Sequence, residues 1–250
     1  MMRFSQLHQL VICTCLFLCV HSQIQGQGEF GFKIGGNISR INGHFEYYKT
    51  TYRPGFQIGF SYKHLLGETI FIRPEIAFTQ KGGKIDYKIY GETGSDYELY
   101  GYQKVNYLEL PLNIDFKLGS NEKNFMYVSI GAYYAIAVGG NLVLDNKLTD
   151  HDDPENSRTI HYRMQMQYKD VITTGDQRKY KSSFEQENGF LKKSDAGVKL
   201  GLGYQLGIIR TDLTYCIGLR NINPHEKGVT STEIAKTNAT LELNFSVFLD

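Results

Sequence analysis

The sequence has few of the residues and motifs that mark several common classes of protein. It contains no tryptophan and only 5 prolines, and its 27 basic residues nearly balance 26 acidic ones, for a net charge of +1. This balance excludes a strongly basic nucleic-acid-binding surface as the main function. The sequence also has no phosphate-binding loop and no dinucleotide fingerprint. Its long apolar run, residues 10–20, is too short to cross a membrane as a helix.

Glycine and aromatic residues are abundant by contrast. There are 26 glycines, 18 tyrosines and 15 phenylalanines in 250 residues, a composition that favours strands over helices. The mean hydropathy of -0.34 is low. It does not argue against a membrane barrel, because barrel strands devote only alternate residues to lipid. A β-barrel of this length is typically one domain.

The first 27 residues predict a secretory signal peptide. Arg3 precedes the apolar run 10–20, and a polar stretch follows it, with the expected cut between His21 and Gly28. An uncleaved anchor is the alternative. A lipoprotein is a poor fit, since Leu18 precedes Cys19 where a small residue is required. We therefore expect a signal peptide at 1–27 and one β-barrel domain at 28–250.

Three of the four cysteines lie in that predicted signal. The mature chain would keep only Cys216, so it could form no internal disulfide. Cys216 falls within a strand-like run, and we interpret it as a small buried thiol rather than a reactive one. No Cys/His metal pattern then remains in the mature chain.

The clearest strand pattern covers residues 108–118. Its apolar positions are Leu108, Leu110, Leu112, Ile114, Phe116 and Leu118, and they alternate with Glu109, Pro111, Asn113, Asp115 and Lys117. A period of two places these sets on opposite faces of a strand. The apolar face would be core in a soluble sandwich, whereas it would meet lipid in a transmembrane barrel. One strand cannot decide between the two.

The lengths of the connections between the strands distinguish a barrel from a sandwich. Eight alternating runs occur, at residues 29–41, 55–63, 69–80, 108–118, 125–138, 195–205, 209–220 and 238–250. The connections between them alternate between long and short. This predicts an all-β, eight-stranded, antiparallel up-and-down barrel in the outer membrane, with long extracellular loops and short periplasmic turns. We expect a bulge or local irregularity at Pro74.

Two of the long connections carry further expectations. Residues 82–103 are rich in glycine and tyrosine and are predicted to form a loop. The longest connection, about 139–193, is too long for a structureless loop in a compact domain, so we expect it to contain a hairpin extending beyond the barrel rim, or to be partly mobile.

On this register the inward face carries charges of both signs. The predicted lumen residues are Lys33, Arg73, Lys117, Lys199, Arg210, Glu75, Glu109, Asp115, Asp195, Asp212 and Glu242. Buried charges must be paired, so they predict an ion-pair network that fills the lumen. Eight strands leave room for side chains or one small ligand, which excludes a general diffusion pore. A proton or ion path is the functional alternative.

Aromatic residues flank the runs and predict an interfacial girdle. The tyrosines concerned are Tyr47, Tyr48, Tyr52, Tyr62, Tyr100, Tyr102, Tyr107 and Tyr204. Ordinary β-propensity of tyrosine is the other explanation. Phe248 is an aromatic residue near the end of the last run. In this it resembles the C-terminal strands that the barrel-assembly machinery recognises.

Several of these motifs resemble the PorT-like outer-membrane β-barrel family of Gram-negative bacteria. They are GFKIGGNIS, IRPEIAFTQKGG, YLELPLNIDFKLG, SIGAYYAIAVGG and DAGVKLGLGY. The resemblance covers most of the mature chain and fades in the long loops. It implies an eight-stranded barrel in the cell outer membrane. Some members are associated with gliding motility and the type IX secretion system.

Candidate catalytic residues are few. His151 lies beside Asp150, Asp152 and Asp153 and could polarise water or bind a hard cation, but it precedes a proline in a polar loop, where a solvated turn is expected. The other loop histidines have no spaced partner; they are His44, His161 and His225. We therefore predict no catalytic, cofactor-binding or metal-binding residue, and no cofactor.

Three functions remain open from the sequence. The first is a non-enzymatic envelope protein, structural or interacting, whose loops and turns are its contact surfaces and which could belong to a secretion or gliding assembly. The second is a barrel that binds a small ligand at its mouth, and the third is a hydrolase of lipid or peptide. The expected partners are outer-membrane lipid and other envelope proteins, with no nucleic acid, for a monomeric barrel.

Overall fold

The computed structural model describes residues 28–43, 49–90, 95–119, 121, 123–172, 190–226 and 235–249. The predicted signal peptide, His44, Tyr47 and Tyr48 lie outside these residues. Eight long strands form the barrel: β1 (Gly28–Asn42), β2 (Arg53–Leu66), β3 (Ile70–Tyr90), β4 (Ser95–Leu118), β5 (Asn124–Asp150), β6 (Ser194–Leu206), β7 (Ile209–Gly218) and β8 (Thr237–Leu249). Each corresponds to one of the eight runs predicted from alternation. Among the residues described, no helix is both long and apolar enough to span a membrane.

The strands close into a ring. Each strand pairs antiparallel with its neighbours in sequence, and β8 pairs with β1, for example Phe32 with Val247. The ring is thus an up-and-down barrel of eight strands, as predicted. Closure pairs the two edges that an open sheet would expose.

The barrel is apolar outside and charged inside. Leu110 and Leu243 are 48% and 45% exposed, whereas Glu109 is 1% exposed. Burying a side chain of this kind is worth about 1.5–3 kcal/mol relative to leaving it in water. A belt of such residues around the whole ring is therefore suited to lipid. The predicted orientation of the faces is confirmed.

Three short turns lie at the end of the barrel that carries Gly28 and Leu249. Each contains a glycine in the left-handed region: Gly67, Gly119 and Gly207, with φ of 81°, 95° and 58°. A side chain at such a φ is strained, which explains the choice of glycine in these tight reversals. Short turns and chain ends define the periplasmic end, and the long connections define the external end.

The prediction of a loop at 82–103 is wrong. β3 continues to Tyr90 and β4 begins at Ser95, with pairs such as Lys88 to Glu98. β5 continues to Asp150 and pairs with a further strand, Arg158–Gln165, which is the hairpin predicted within the long connection. We call residues 84–90, 95–102, 141–150 and 158–165 together the external sheet.

The ladder is locally irregular at Pro74, as predicted. The pairing of β3 with β4 skips two residues after Pro74 and then resumes in the same register, and the pairing of β2 with β3 leaves out Pro74 itself, so the irregularity is a gap and not a bulge. A shift of register occurs between β4 and β5, where Asn106 pairs with Gly139 and Tyr107 pairs with Ala137. The extra residue, Val138, changes which alternate residues of β5 face inward.

The described tyrosines of the predicted girdle differ in exposure. Tyr52, Tyr100 and Tyr204 are at least 41% exposed, as interfacial residues should be, and Tyr62 and Tyr102 are partly exposed. Tyr107 is fully buried and points into the lumen, so its assignment to the girdle is wrong. It shares the inward face of β4 with Glu109, whereas a girdle residue would need the opposite face.

Candidate functional site: the filled lumen and the external sheet

An ion-pair network occupies the periplasmic half of the lumen. Asp115 Oδ2 lies 2.9 Å from both Arg73 Nε and Arg210 Nη2. Arg73 also pairs with Glu75, which in turn pairs with Lys33. We call these five residues, with Asp212, the lower network. Their alternation along β1, β3, β4 and β7 places them all on inward faces.

Tyr127 packs this network against the barrel wall. Its hydroxyl donates to Asp212 Oδ1 at 2.6 Å, and the guanidinium of Arg210 lies 3.5 Å from the centre of its ring. The ring fits because β6 has glycine opposite it. A Cβ at Gly203 would come within 2.0 Å of the Tyr127 hydroxyl oxygen. Narrow barrels fill their interior by placing small residues beside large ones.

A second network lies towards the external end. Glu109 pairs with Lys81 at 2.5 Å and with Lys199 at 2.7 Å. Lys199 Nζ also lies 3.2 Å from Glu242 Oε2. Asp195 accepts hydrogen bonds from Tyr133 and Asn238. We call these charged residues the upper network. The void between the two networks measures about 10 Å³, which is room for about one water molecule.

The lumen charges agree closely with the prediction. All of the predicted lumen residues are buried except Lys117, which is only partly buried at the periplasmic end. Two buried lysines of the barrel strands were missed, Lys63 and Lys81, each under 3% exposed. Both share the inward parity of their strands, but Lys81 lies one residue beyond the predicted end of its run.

Described residues of the external connections form an apolar cap at the external mouth. Met166, Leu191 and Ile222 are at most 3% exposed and pack with Leu142 and Leu144 of β5. Two short parallel pairs hold these segments: residues 167–168 with 190–191, and residues 171–172 with 225–226. Residues from the long connection therefore fold back over the barrel.

Cys216 belongs to the same cluster and is 1% exposed. It is the buried thiol that the sequence predicts. Burial on this scale keeps a thiol away from solvent oxidants and metals.

The periplasmic end holds a cavity of about 700 Å³. Phe71 and Phe125 are stacked there with ring centres 5.7 Å apart. Lys63 Nζ lies 2.9 Å from Glu29 Oε2 and donates to Gln205 Oε1 at 3.0 Å. Lys117 and the turn residues Gly67 and Gly119 also line this cavity.

Two of the candidate histidines, His151 and His161, lie on or beside the external sheet, outside the barrel. His151 Nε2 is 2.9 Å from Asp96 Oδ2, and its side chain is 57% exposed. Asp150 Oδ1 accepts hydrogen bonds from the backbone N–H groups of Asp152 and Asp153. This acidic segment is therefore a turn stabilised by hydrogen bonds among its own residues.

The other described histidines are separate from His151. His161 Nδ1 pairs with Asp145 at 2.6 Å, and His225 lies in a short strand near the cap. In the part of the chain that the structure covers, no three His, Cys, Asp or Glu residues group as a metal site. The absence of catalytic and cofactor residues stays a prediction.

The exterior, the lumen and the sorting of turns define a class of protein: the eight-stranded β-barrels of the outer membrane. The sequence model of one family, the outer membrane protein beta-barrel domain, matches residues 22–223. The chain belongs to this family, and its location is the outer membrane.

Solved structures of other barrels are similar to this chain at low identity. The attachment invasion locus protein Ail of Yersinia pestis is 13% identical, over 89% of this chain and 99% of Ail, with a TM-score of 0.38. OprG of Pseudomonas aeruginosa is 13% identical, over 90% and 97%, with a TM-score of 0.42. Neisserial surface protein A is 10% identical, over 88% and 98%, with a TM-score of 0.37. No curated protein sequence matches the chain.

Proposed function

We propose that the chain is a non-enzymatic, monomeric barrel that anchors the external sheet at the cell surface, where the sheet contacts another envelope protein. The filled lumen carries this proposal. The lower network, the upper network and the apolar cap lie in series along the barrel, and the void between the networks is about 10 Å³. A solute pore needs a continuous aqueous path, and a ligand carrier needs a cavity at the external mouth.

The external sheet supplies the contact surface. Strand Arg158–Gln165 pairs with β5 on one side, and no pairing of its other edge is seen among the described residues. An unpaired edge can add a strand from a partner through main-chain hydrogen bonds. Exposed Arg158 and Arg163 at this edge would select a partner of complementary charge.

The finer assignment follows from the sequence motifs. We place the chain in the PorT-like branch of the family because the motifs around residues 30–39 and 107–119 resemble that branch. The envelope partner would then belong to a secretion or gliding assembly. Loss of gliding or secretion on deletion of the chain would support this assignment, which rests on analogy of fold.

The decisive experiment is co-purification from detergent-solubilised outer membrane. We expect Arg158→Glu/Arg163→Glu to lose a protein that co-purifies with the wild type, because reversing two charges at the free edge repels a complementary partner. Lys193→Glu/Arg220→Glu is the matched control, since both residues are exposed at the external ends of β6 and β7. Mass spectrometry of the purified material identifies the proteins.

Two results would contradict the proposal. One is an identical set of co-purified proteins from both double variants. The other is stepwise ion conductance by the wild-type barrel in planar bilayers, since that requires an open lumen.

A separate substitution tests the hydrolase alternative. We expect His151→Ala to leave lipid A composition and surface proteolysis unchanged, because His151 pairs with the carboxylate of Asp96 and its side chain is 57% exposed to solvent. Mass spectrometry of extracted lipid A and of shed surface peptides measures both. A change in either, with normal folding of the variant, would favour the hydrolase.

A further inference from the structure

The lipid-facing belt ends on a group of cations at the external side of β1–β4. On β1 the exposed Ile38 is followed on the same face by Arg40, and on β4 Leu108 is followed towards the external end by Asn106 and Lys104. Lys84 of β3 is paired with Tyr102 of β4, two residues further out. Arg53 at the start of β2 completes the set. We call Arg40, Arg53, Lys84 and Lys104 the rim cations.

These cations have no carboxylate partner. None of the four forms an ion pair with any residue that the structure describes. In this respect they differ from the fully buried lumen cations and from Lys88 and Lys147, which lie further out on the same sheet and pair with Glu98. Four unpaired cations on one side of a barrel repel one another unless an anion lies between them.

Neighbouring side chains hold two of the rim cations in place. The guanidinium of Arg53 lies 5.1 Å from the ring centre of Tyr102 and donates to Gln80 Oε1 through both terminal nitrogens at 3.2 Å. Arg40 lies 5.1 Å from the ring centre of Tyr52. Stacking on an aromatic face restrains a guanidinium while leaving N–H donors free for a further acceptor.

Backbone contacts bring the strands together at this point. The Gly82 N–H donates to Ser39 Oγ at 2.8 Å, and Thr50 Oγ1 donates to the Ile41 carbonyl at 2.6 Å. A Cβ on Gly83 would lie 3.7 Å from Arg40 Cα. Arg40 and Lys84 therefore belong to one surface, although they are far apart in sequence.

We infer that the rim cations bind the phosphate groups of the outer-leaflet glycolipid. The position selects this ligand, because the cations start where the apolar belt stops and long basic side chains reach the headgroup layer from such positions. The chemistry agrees, since guanidinium and ammonium groups together are the usual partners of phosphate. The next acid on this face, Asp86, lies two residues further from the membrane than Lys84.

A charge-neutralising pair of double variants tests the site. The full mature chain, folded in neutral detergent, is titrated with lipid A and with the same lipid A after enzymatic removal of its phosphates. We expect the wild type to prefer the phosphorylated form, and Lys84→Gln/Lys104→Gln to weaken that binding about 30-fold, or about 5-fold per charge. Lys88→Gln/Lys147→Gln removes the same charge from the same sheet further out and should bind like the wild type.

Each other outcome overturns the inference. Equal affinity of the wild type for both lipids removes the role of phosphate, and equal losses in the two double variants indicate general surface charge. Binding of inorganic phosphate as tight as that of phosphorylated lipid A would assign the site to a free anion. Arg40→Gln, outside the β3–β4 ladder, gives a second measurement should Lys84→Gln/Lys104→Gln not fold.

Discussion

Replacing Arg73 by methionine is expected to lower the free energy of unfolding by about 3–5 kcal/mol, because it leaves buried carboxylates without their counter-charge. Arg73 contacts Glu75, Asp115 and Asp212 and is 4% exposed. Its removal leaves two cations of the lower network, Lys33 and Arg210, to serve three carboxylates. Urea unfolding of the barrel in lipid vesicles measures the change.

Lys88→Met is the matched control for Arg73→Met. This variant also removes a cation that pairs with a glutamate, since Lys88 Nζ lies 2.7 Å from Glu98 Oε1, but the Lys88 side chain is 50% exposed. Water screens such a pair and solvates the carboxylate left behind, so the control should unfold close to the wild type. Equal losses in the two variants would mean that the lower network is accessible to water, and the filled lumen would have to be abandoned.

The barrel itself was predictable because a single physical rule governs each strand. Alternate residues face lipid or lumen, so the polarity of residues such as Leu110 and Glu109 indicates which of the two each one faces. The lumen charges followed from the same parity. What the sequence could not show is which cation pairs with which carboxylate: Arg210 meets Asp115 across the lumen, from strands that are not neighbours.

The extension of β3 and β4 into the external sheet was missed because the chemistry of the two faces reverses above the membrane. Ile85 and Leu99 are buried on the inward side, under the apolar cap, while Lys84 faces outward. On β5 the extra residue Val138 also changes the parity, so that Leu142 points inward. A run whose apolar face changes side is no longer recognisable as the continuation of a lipid-facing strand.

Depth within the membrane should control the effect of a charge on the outer face. We expect Leu112→Arg to lower the free energy of unfolding by about 2–4 kcal/mol, the cost of a cation on the lipid face at the bilayer midplane. Leu112 lies at the middle of the outward face of β4, between Leu108 and Leu118, and is 49% exposed. Unfolding of the variant in phospholipid vesicles, with urea as denaturant, measures the loss.

Leu118→Arg provides an unusually close control for Leu112→Arg. Leu118 is the same residue type on the same face of the same strand, and it is also 49% exposed. It differs only in lying at the periplasmic border, where arginine reaches water and the expected cost is about 0–1 kcal/mol. In a soluble protein both positions would be half-exposed surface and the two substitutions would have similar, small effects. A difference between them therefore measures the hydrocarbon layer, and equal effects would mean that no lipid surrounds this belt.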